Sequence, residues 1–354
     1  MKYLKILISI IFFASCEEYF QPNIKVTEPA YVFEGLITDQ PGPYKVKIMK
    51  TDEYNGNLES ITDAIVRIEC SDGHSYRLLY DSSGYYLSDS ATLVGEIGKS
   101  YKLVAITTDK KHFVSTSEEL LDCPKIEDIS GIYCETKRIV KNGSNYFDEI
   151  DMGICAINTT NAAGFTPYYR YECNVVLQVR QHYPGSMPEE RYVYRPIDLR
   201  EYLFLADARD YSNTVITGNQ LYKTMSRALH AGIDSLVPGM SEFEIHNCGE
   251  FIRVKQYSLT ESQYKFWKAV KEQQENSKYF FGTLENQPVG NIIGESGDKA
   301  LGYFCVSAVK QDSCALSLKE RQKEVKKYDI NYFPDTDTVA YYKYPQQYTI
   351  LFEN

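Results

Sequence analysis

Alternation of apolar and polar residues with a period of two is the sequence feature that most limits the fold of this chain. Residues 44–48, for example, alternate strictly, which places successive side chains on opposite faces of a strand. About seven such segments lie between residues 30 and 121, a number typical of a small β-sandwich. We therefore expect a mostly β protein whose residues 30–121 form an immunoglobulin-like or transthyretin-like β-sandwich. The predicted strands are residues 31–37, 44–48, 64–70, 76–80, 84–87, 101–106 and 112–115.

A second β-rich domain is predicted for residues 122–354. Pro124 marks the boundary, because proline cannot continue a central strand. Longer candidate strands follow at residues 126–139, 150–158, 168–181, 244–257 and 300–309. The signals between residues 182 and 243 are mixed, so we assign no structure there.

One amphipathic helix is predicted near residues 260–275. Thr260 and Gln263 have the spacing of a capping box, in which the threonine oxygen accepts a backbone N–H and the glutamine reaches back. Tyr264 and Trp267 then begin an apolar stripe. The spacing favours Trp267 as the side chain that packs this helix on a sheet, with stacking on a ligand as the alternative.

The first sixteen residues have the pattern of an export signal. Lys2 and Lys5 precede an apolar run at residues 6–13, which is too short to span a bilayer as a helix. The sequence Phe-Ala-Ser-Cys at residues 13–16 resembles the lipobox of bacterial lipoproteins, whose cysteine is acylated and becomes the new N-terminus. The alternative is a chance cysteine at the end of a signal peptide. We expect a signal peptide at residues 1–15, acyl chains such as palmitate on Cys16, and a tether at residues 16–29.

Eight further cysteines permit up to four disulfides in an exported protein, and their pairing cannot be deduced from the sequence. Cys155 and Cys173 lie on either side of a predicted turn, and Cys305 and Cys314 flank a short polar segment, so these two pairs are candidate disulfides. Buried free thiols are the alternative for all four. No Cys-x-x-Cys or paired histidine spacing occurs, so neither zinc nor another metal is predicted.

The remaining sequence favours neither nucleic acid binding nor catalysis. The net charge is −10 with no basic block, whereas phosphate binding needs clustered Lys and Arg. Nucleophile-elbow, metalloprotease, phosphate-loop and dinucleotide motifs are absent, and the five histidines are scattered. We therefore expect no enzyme and no cofactor. A glycan hydrolase with two dispersed carboxylates stays as the third alternative, because such acids can come from distant strands.

Several short motifs occur in an order that resembles the Bacteroidota lipoprotein family catalogued as domain of unknown function 4249. The resemblance covers about residues 24 to 310. The matching motifs are Phe33-Glu34-Gly35-Leu36-Ile37-Thr38, Gly42-Pro43-Tyr44, Gln256-Tyr257-Ser258-Leu259 with Tyr264 and Trp267, Gly290-Asn291-Ile292, and Leu301-Gly302-Tyr303-Phe304 with Ser307. The chain departs from the family pattern at Cys123 and Cys134, which puts in doubt any disulfide scheme carried over from relatives.

The resemblance implies an outer-membrane lipoprotein that works beside a TonB-dependent receptor in ligand capture or uptake, without a catalytic residue set. We expect it to be held by Cys16 on the periplasmic or the cell-surface leaflet. The ligand class is not indicated. The alternative function is a structural or adhesive surface lipoprotein that docks another protein through its strands.

Overall fold

The computed structural model of the chain describes residues 29–51, 57–140, 147–159, 164–181, 191–197, 203–210, 245–276, 288–319 and 324–329. The predicted signal peptide, Cys16 and nearly all of the predicted tether lie outside the described residues.

The described chain consists of strands, one α-helix and one 3₁₀ turn. The strands are β1 (Tyr31–Thr38), β2 (Lys45–Thr51), β3 (Leu58–Ser60), β4 (Ile65–Cys70), β5 (Ser75–Tyr80), β6 (Tyr86–Leu87), β7 (Ser100–Ile106), β8 (His112–Ser115), β9 (Glu118–Glu119), β10 (Ile126–Val140), β11 (Phe147–Thr159), β12 (Tyr168–Gln181), β13 (Arg191–Ile197), β14 (Phe204–Asp207), β15 (Ile245–Leu259), β16 (Ile292–Gly294), β17 (Ala300–Ser307), β18 (Val309–Lys319) and β19 (Glu324–Asp329). The 3₁₀ turn is Ala208–Asp210, and the helix α1 is Glu261–Asn276.

Sheet I contains eleven of the described strands. Its main order is β16-β8-β7-β4-β5-β6-β2-β1-β17, with β3 beside β2 and β9 beside β7. The two outermost strands, β16 and β17, are consecutive in the chain, so the sheet curls until its ends lie close to each other and is nearly closed into a barrel. The mostly β expectation is therefore confirmed, whereas the immunoglobulin-like sandwich is not.

The seam of sheet I is formed by parallel pairing of β1 with β17, from Tyr31 opposite Ala300 to Thr38 opposite Ser307. The buried Asn291, directly before β16, bonds to β17: its side chain accepts a hydrogen bond from Phe304 N–H at 2.8 Å and donates one to Phe304 C=O at 3.0 Å. These two bonds satisfy backbone groups that have no strand partner at the end of a sheet.

Close backbone approach at this seam requires glycine. Gly302 has φ +89°, which L side chains rarely adopt, and a Cβ there would overlap the backbone of Phe33. Gly290 faces Gly302 in the same way, because a Cβ on it would overlap the Gly302 carbonyl. Residues 290–302 can therefore close against β1 only with glycine at these positions.

Two further sheets follow in the described part of the chain. Sheet II is the antiparallel pair β10–β11, and sheet III has the order β13-β12-β15-β18-β19 with β14 also beside β12. One face of sheet III packs on sheet I in a shared hydrophobic core. Core residues contributed by sheet III include Tyr169, Tyr171, Cys173, Ile252, Val254 and Cys314.

The predicted domain boundary at residue 121 stays a prediction. The strand pairing shows that sheet I also contains strands from beyond that residue. Strands β16 and β17 come late in the chain, yet they complete sheet I, and β18 then continues into sheet III. Ala308, fully buried, is the residue between β17 and β18. The chain thus crosses from one sheet to the other at this point.

We predict that Gly302→Ala lowers the free energy of unfolding by about 3 kcal/mol or more, because it combines a positive φ with overlap at the β1 backbone. Gly297→Ala is the matched control: its φ is +81°, but a Cβ there meets nothing within 4 Å. It should cost about 1 kcal/mol, the conformational cost alone. Urea unfolding measures both, and equal losses would contradict the seam as described.

Candidate functional site

Three of the four cysteines that the sequence nominated for disulfides have described side chains. Cys173, Cys305 and Cys314 are buried thiols that take part in no disulfide, so both predicted bridges, Cys155–Cys173 and Cys305–Cys314, are absent. Cys70 and Cys123 are also buried thiols outside any disulfide.

Strand register places the two members of each pair in different strand pairings. Cys155 pairs with Gly131 inside sheet II, while Cys173 pairs with Val254 inside sheet III. Cys305 lies opposite Leu36 at the seam of sheet I, whereas Cys314 lies opposite Ile252 in sheet III. Each pair is therefore split between two sheets, although its members are close in sequence.

No metal-binding cluster is found in the part of the chain that the structure describes. There, no three His, Cys, Asp or Glu side chains are placed to hold a metal ion. His74 pairs with Asp72 at 3.0 Å, and His112 lies 3.7 Å from Glu295, both at the surface. Neither of these contacts joins a histidine to a nucleophile.

A buried carboxylate on β9 holds the start of α1. Glu118, 4% exposed, accepts hydrogen bonds from the hydroxyls of Thr260 at 2.7 Å and Tyr303 at 2.7 Å. The Ser262 hydroxyl at 3.2 Å and the Gln263 amide at 3.4 Å also donate to it. A carboxylate at a helix N-terminus is stabilised by the helix dipole and by such donors.

The capping box is present in part. The Gln263 N–H donates to the Thr260 hydroxyl at 3.3 Å, as the spacing predicts. The Gln263 side chain does not reach back to the backbone of Thr260; it is fully buried and donates to Val306 C=O at 3.0 Å. Burial, with the neighbouring Glu118, raises the pKa of Tyr303 well above its ordinary value, so this phenol keeps its proton. All these contacts serve packing of α1 on sheet I.

Trp267 is partly buried and packs against a small hydrophobic cluster, which agrees with its interpretation as the anchor of α1. It lies against the buried side chains of Tyr168, Leu205 and Leu259. The guanidinium of Arg170 lies 5.0 Å from the centre of the Trp267 ring and 4.3 Å from that of Tyr257. Arg170 thus lies over one face of the Trp267 ring, where it makes a cation–π contact.

The candidate binding site is a cleft of about 730 Å³ between sheets I and III. Sheet I contributes β1, β2 and the loop that joins them, and sheet III contributes β15 and β18. The lining residues are Leu36, Thr38, Gln40, Pro41, Pro43, Tyr44, Lys45, Lys255, Tyr257, Val309, Lys310 and Gln311. A cleft of this volume is in the range that holds small molecules.

Buried hydrogen bonds hold the loop at the edge of the cleft. The Tyr44 hydroxyl lies 2.6 Å from the carbonyl oxygens of Thr38 and Gln40, and it accepts the Gly95 N–H at 3.0 Å. Asp39 accepts the Val309 N–H at 2.8 Å and so ties the loop to β18. The two walls of the cleft are thereby fixed to each other before any ligand binds.

Sequence reasoning missed this site. Lys45 and Lys255 lie far apart in the chain on strands of different sheets, and each is an ordinary polar residue in an alternating strand. The one signal in the sequence was the segment Pro41-Gly42-Pro43, which overlaps the family motif Gly42-Pro43-Tyr44. Its two prolines mark a constrained loop. Pairing of the sheets was needed to bring the lysines to one cleft.

Comparison with known proteins gives a family and nothing closer. A family model described as "Domain of unknown function (DUF4249)" matches residues 17–313. The match begins directly after Cys16 and ends within β18. No curated protein and no solved structure matches the chain. Within the described residues, no helix has the length and hydropathy that a membrane span requires.

We predict that Glu118→Gln destabilises the protein by about 2 kcal/mol, because the amide weakens charge-assisted hydrogen bonds at the start of α1. The adjacent and exposed Glu119→Gln is the matched control and should leave stability within about 0.5 kcal/mol. Urea unfolding followed by circular dichroism measures both. Equal effects of the two variants would show that Glu118 does not hold the helix.

We predict that Cys123 and Cys305 resist alkylation in the folded protein at pH 8. Burial raises the pKa of Cys123 to about 11 and that of Cys305 to about 12, so the reactive thiolate is scarce. Because folding raises these pKa values, the protonated thiols favour the folded state. This contribution to the free energy of unfolding is complete below about pH 9 and is lost as the pH rises towards 11.

Iodoacetamide labelling with peptide mass spectrometry measures this reactivity. Protein unfolded in urea without reductant serves as the control, and there Cys173, Cys305 and Cys314 should all be modified. A recovered peptide pair joining Cys305 to Cys314 would contradict the assignment of both residues as thiols.

Proposed function

From the premise that this chain belongs to the family described as Domain of unknown function (DUF4249), we propose that it is an exported, lipid-anchored binding protein of a bacterial outer membrane. It works beside a TonB-dependent receptor and helps that receptor to capture or admit a ligand. The observation that carries the proposal is the cleft of about 730 Å³ between sheets I and III, whose volume suits a small ligand.

The anchor part of the proposal rests on the N-terminal sequence. A basic start, an apolar run and Cys16 are followed directly by the matched family region. Acyl chains contribute about 0.8 kcal/mol per buried CH₂, so several chains on one cysteine hold a protein on a membrane surface. The anionic body gains nothing from anionic head groups, which leaves the acyl chains as the attachment.

The accessory role is supported by the rigid placement of the cleft. Its two walls come from sheets that share one hydrophobic core, and the Asp39 bond to β18 joins them. A binding site with little freedom loses little entropy when it is occupied. Such a site suits a protein that presents a ligand to a receptor, and the Bacteroidota lipoprotein resemblance supports the same assignment.

A sandwich arrangement for residues 30–121 belongs to the same proposal. Strand β5 pairs with β4 over four residues but with β6 over only two, Leu79 and Tyr80. A short pairing of this kind supports a corner at β5, where one curled sheet turns into two facing layers. The immunoglobulin-like or transthyretin-like assignment rests on this corner and on the strand count.

Cross-linking in intact cells tests the proposed function. Mild cross-linking and affinity purification of the wild-type chain should recover an outer-membrane transport β-barrel as the main partner. Cys16→Ser should lose both this partner and the incorporation of a clickable fatty acid, because the acylated sulfur is gone. Mass spectrometry identifies the partner, and in-gel fluorescence measures the acylation.

Ser15→Ala is the matched control, since it keeps a small residue before the cysteine and should leave acylation and partner unchanged. Equal labelling of the wild type and Cys16→Ser would refute the anchor. Repeated recovery of the acylated protein without a transport barrel would refute the accessory role.

A further inference from the structure

The cleft between sheets I and III concentrates positive charge in a protein whose net charge is −10. Three lysines line it: Lys45 from β2, Lys255 from β15 and Lys310 from β18. We propose that this cleft binds a small organic anion, with its acidic groups on the lysines and its apolar body between the walls. The inference rests on the proposed binding function and names the ligand class.

Ion pairing within the protein leaves two of these lysines available. Lys310 lies 3.2 Å from the Asp39 carboxylate, so its charge is neutralised and its position is set. Neither Lys45 nor Lys255 has an ion-pair partner among the residues that the structure describes. An incoming anion therefore meets two ammonium groups that come from different sheets.

The acidic residue opposite Lys255 on β12 is engaged by other partners. Glu172 lies opposite Lys255 in the β12–β15 pairing, but both of its oxygens are engaged. One accepts the Tyr257 hydroxyl at 2.6 Å, and the other pairs with Arg170 at 3.0 Å. Arg170 in turn is held between the rings of Tyr257 and Trp267. In this network Glu172 pairs with Arg170, and Lys255 lines the cleft without pairing to Glu172.

Lys45 is arranged in a comparable way. Its ammonium lies 5.5 Å from the centre of the Tyr85 ring, and Lys47 lies 5.6 Å from the same ring. A ring attracts a cation without neutralising it, so Lys45 keeps its charge at the edge of the cleft. Lys47 shares this ring but does not line the cleft.

The rest of the lining limits the ligand to a compact organic molecule. Leu36, Val309, Pro41 and Pro43 give apolar contact, and the amides of Gln40 and Gln311 add polar contact. A volume of about 730 Å³ admits a small molecule and excludes a folded partner. Carboxylate and phosphate share the required chemistry, since lysine binds either as a point charge.

The test compares three probes of the same ring size on the purified full chain in uncharged detergent: cyclohexane dicarboxylate, cyclohexyl phosphate and cyclohexane dimethanol. Isothermal titration calorimetry, with detergent alone as the blank, should show at least one of the two anions binding about fivefold or more tighter than the uncharged diol. The preferred anion identifies the acidic group. Raising the ionic strength from about 0.01 M to about 0.15 M should weaken that binding, because the screening length falls from about 30 Å to about 8 Å.

Variants assign the binding to the cleft. Lys45→Met combined with Lys255→Met should weaken anion binding about fivefold, because two exposed charge contacts are lost. Lys47→Met is the matched control, since it removes a lysine from the same strand and the same Tyr85 ring outside the cleft. Circular dichroism checks that every variant is folded.

Equal binding of the diol and the anions, absence of binding by both anions, or equal effects of Lys47→Met and the double variant would overturn the inference. These outcomes are separate from the cross-linking result. A chain that captures the receptor but binds no anion refutes the ligand class alone. A chain that binds anions in the cleft but finds no receptor refutes the accessory role alone.

Discussion

The parallel pairing of β1 with β17 is the constraint on which the rest of the structure depends. It joins a strand from the start of the described chain to one from near its end, and so brings the two ends of sheet I close to each other. The pairing needs two backbones in very close contact, which Gly302 permits, and the side chain of Asn291 satisfies the polar groups beside it. Sheet III can pack on sheet I because β18 leaves this seam directly.

Polar contacts then attach the neighbouring elements to the seam. Glu118 brings β9, the start of α1 and Tyr303 of β17 to one buried point. Asp39, at the end of β1, bonds to the first residue of β18 and pairs with Lys310. The cleft lies beside the second attachment, where the loop after β1 meets β18. Lining residues such as Tyr44 and Val309 take part in the bonds that hold this loop.

Period-two patterning alone predicts most strands of sheet I, because a strand with one buried face must alternate. The helix α1 is predictable for a similar reason, since its cap and its apolar stripe are local in sequence. Strands β9 and β16 were missed, because two or three residues are too few to show a period. The region between residues 182 and 243 also contains β13 and β14, to which the mixed signals of that region assigned no structure.

The disulfide predictions show the limit of sequence distance as a guide. Cys305 and Cys314 are near neighbours in the chain, yet Ala308 lies between them where the chain changes sheet, and the two residues belong to different strand pairings. The opposite holds for Lys45 and Lys255, which are remote in sequence and line one cleft.

The sequence by itself determined the β class, the positions of most long strands and the helix, because each depends on residues within one short segment. Tertiary structure alone decided the near closure of sheet I, the burial of Glu118 and the placement of Lys45 and Lys255 in one cleft. Those features depend on which strands pair across the chain. Strand pairing is set by the free energy of the whole packed core, so the sequence of one segment does not reveal its partner strand.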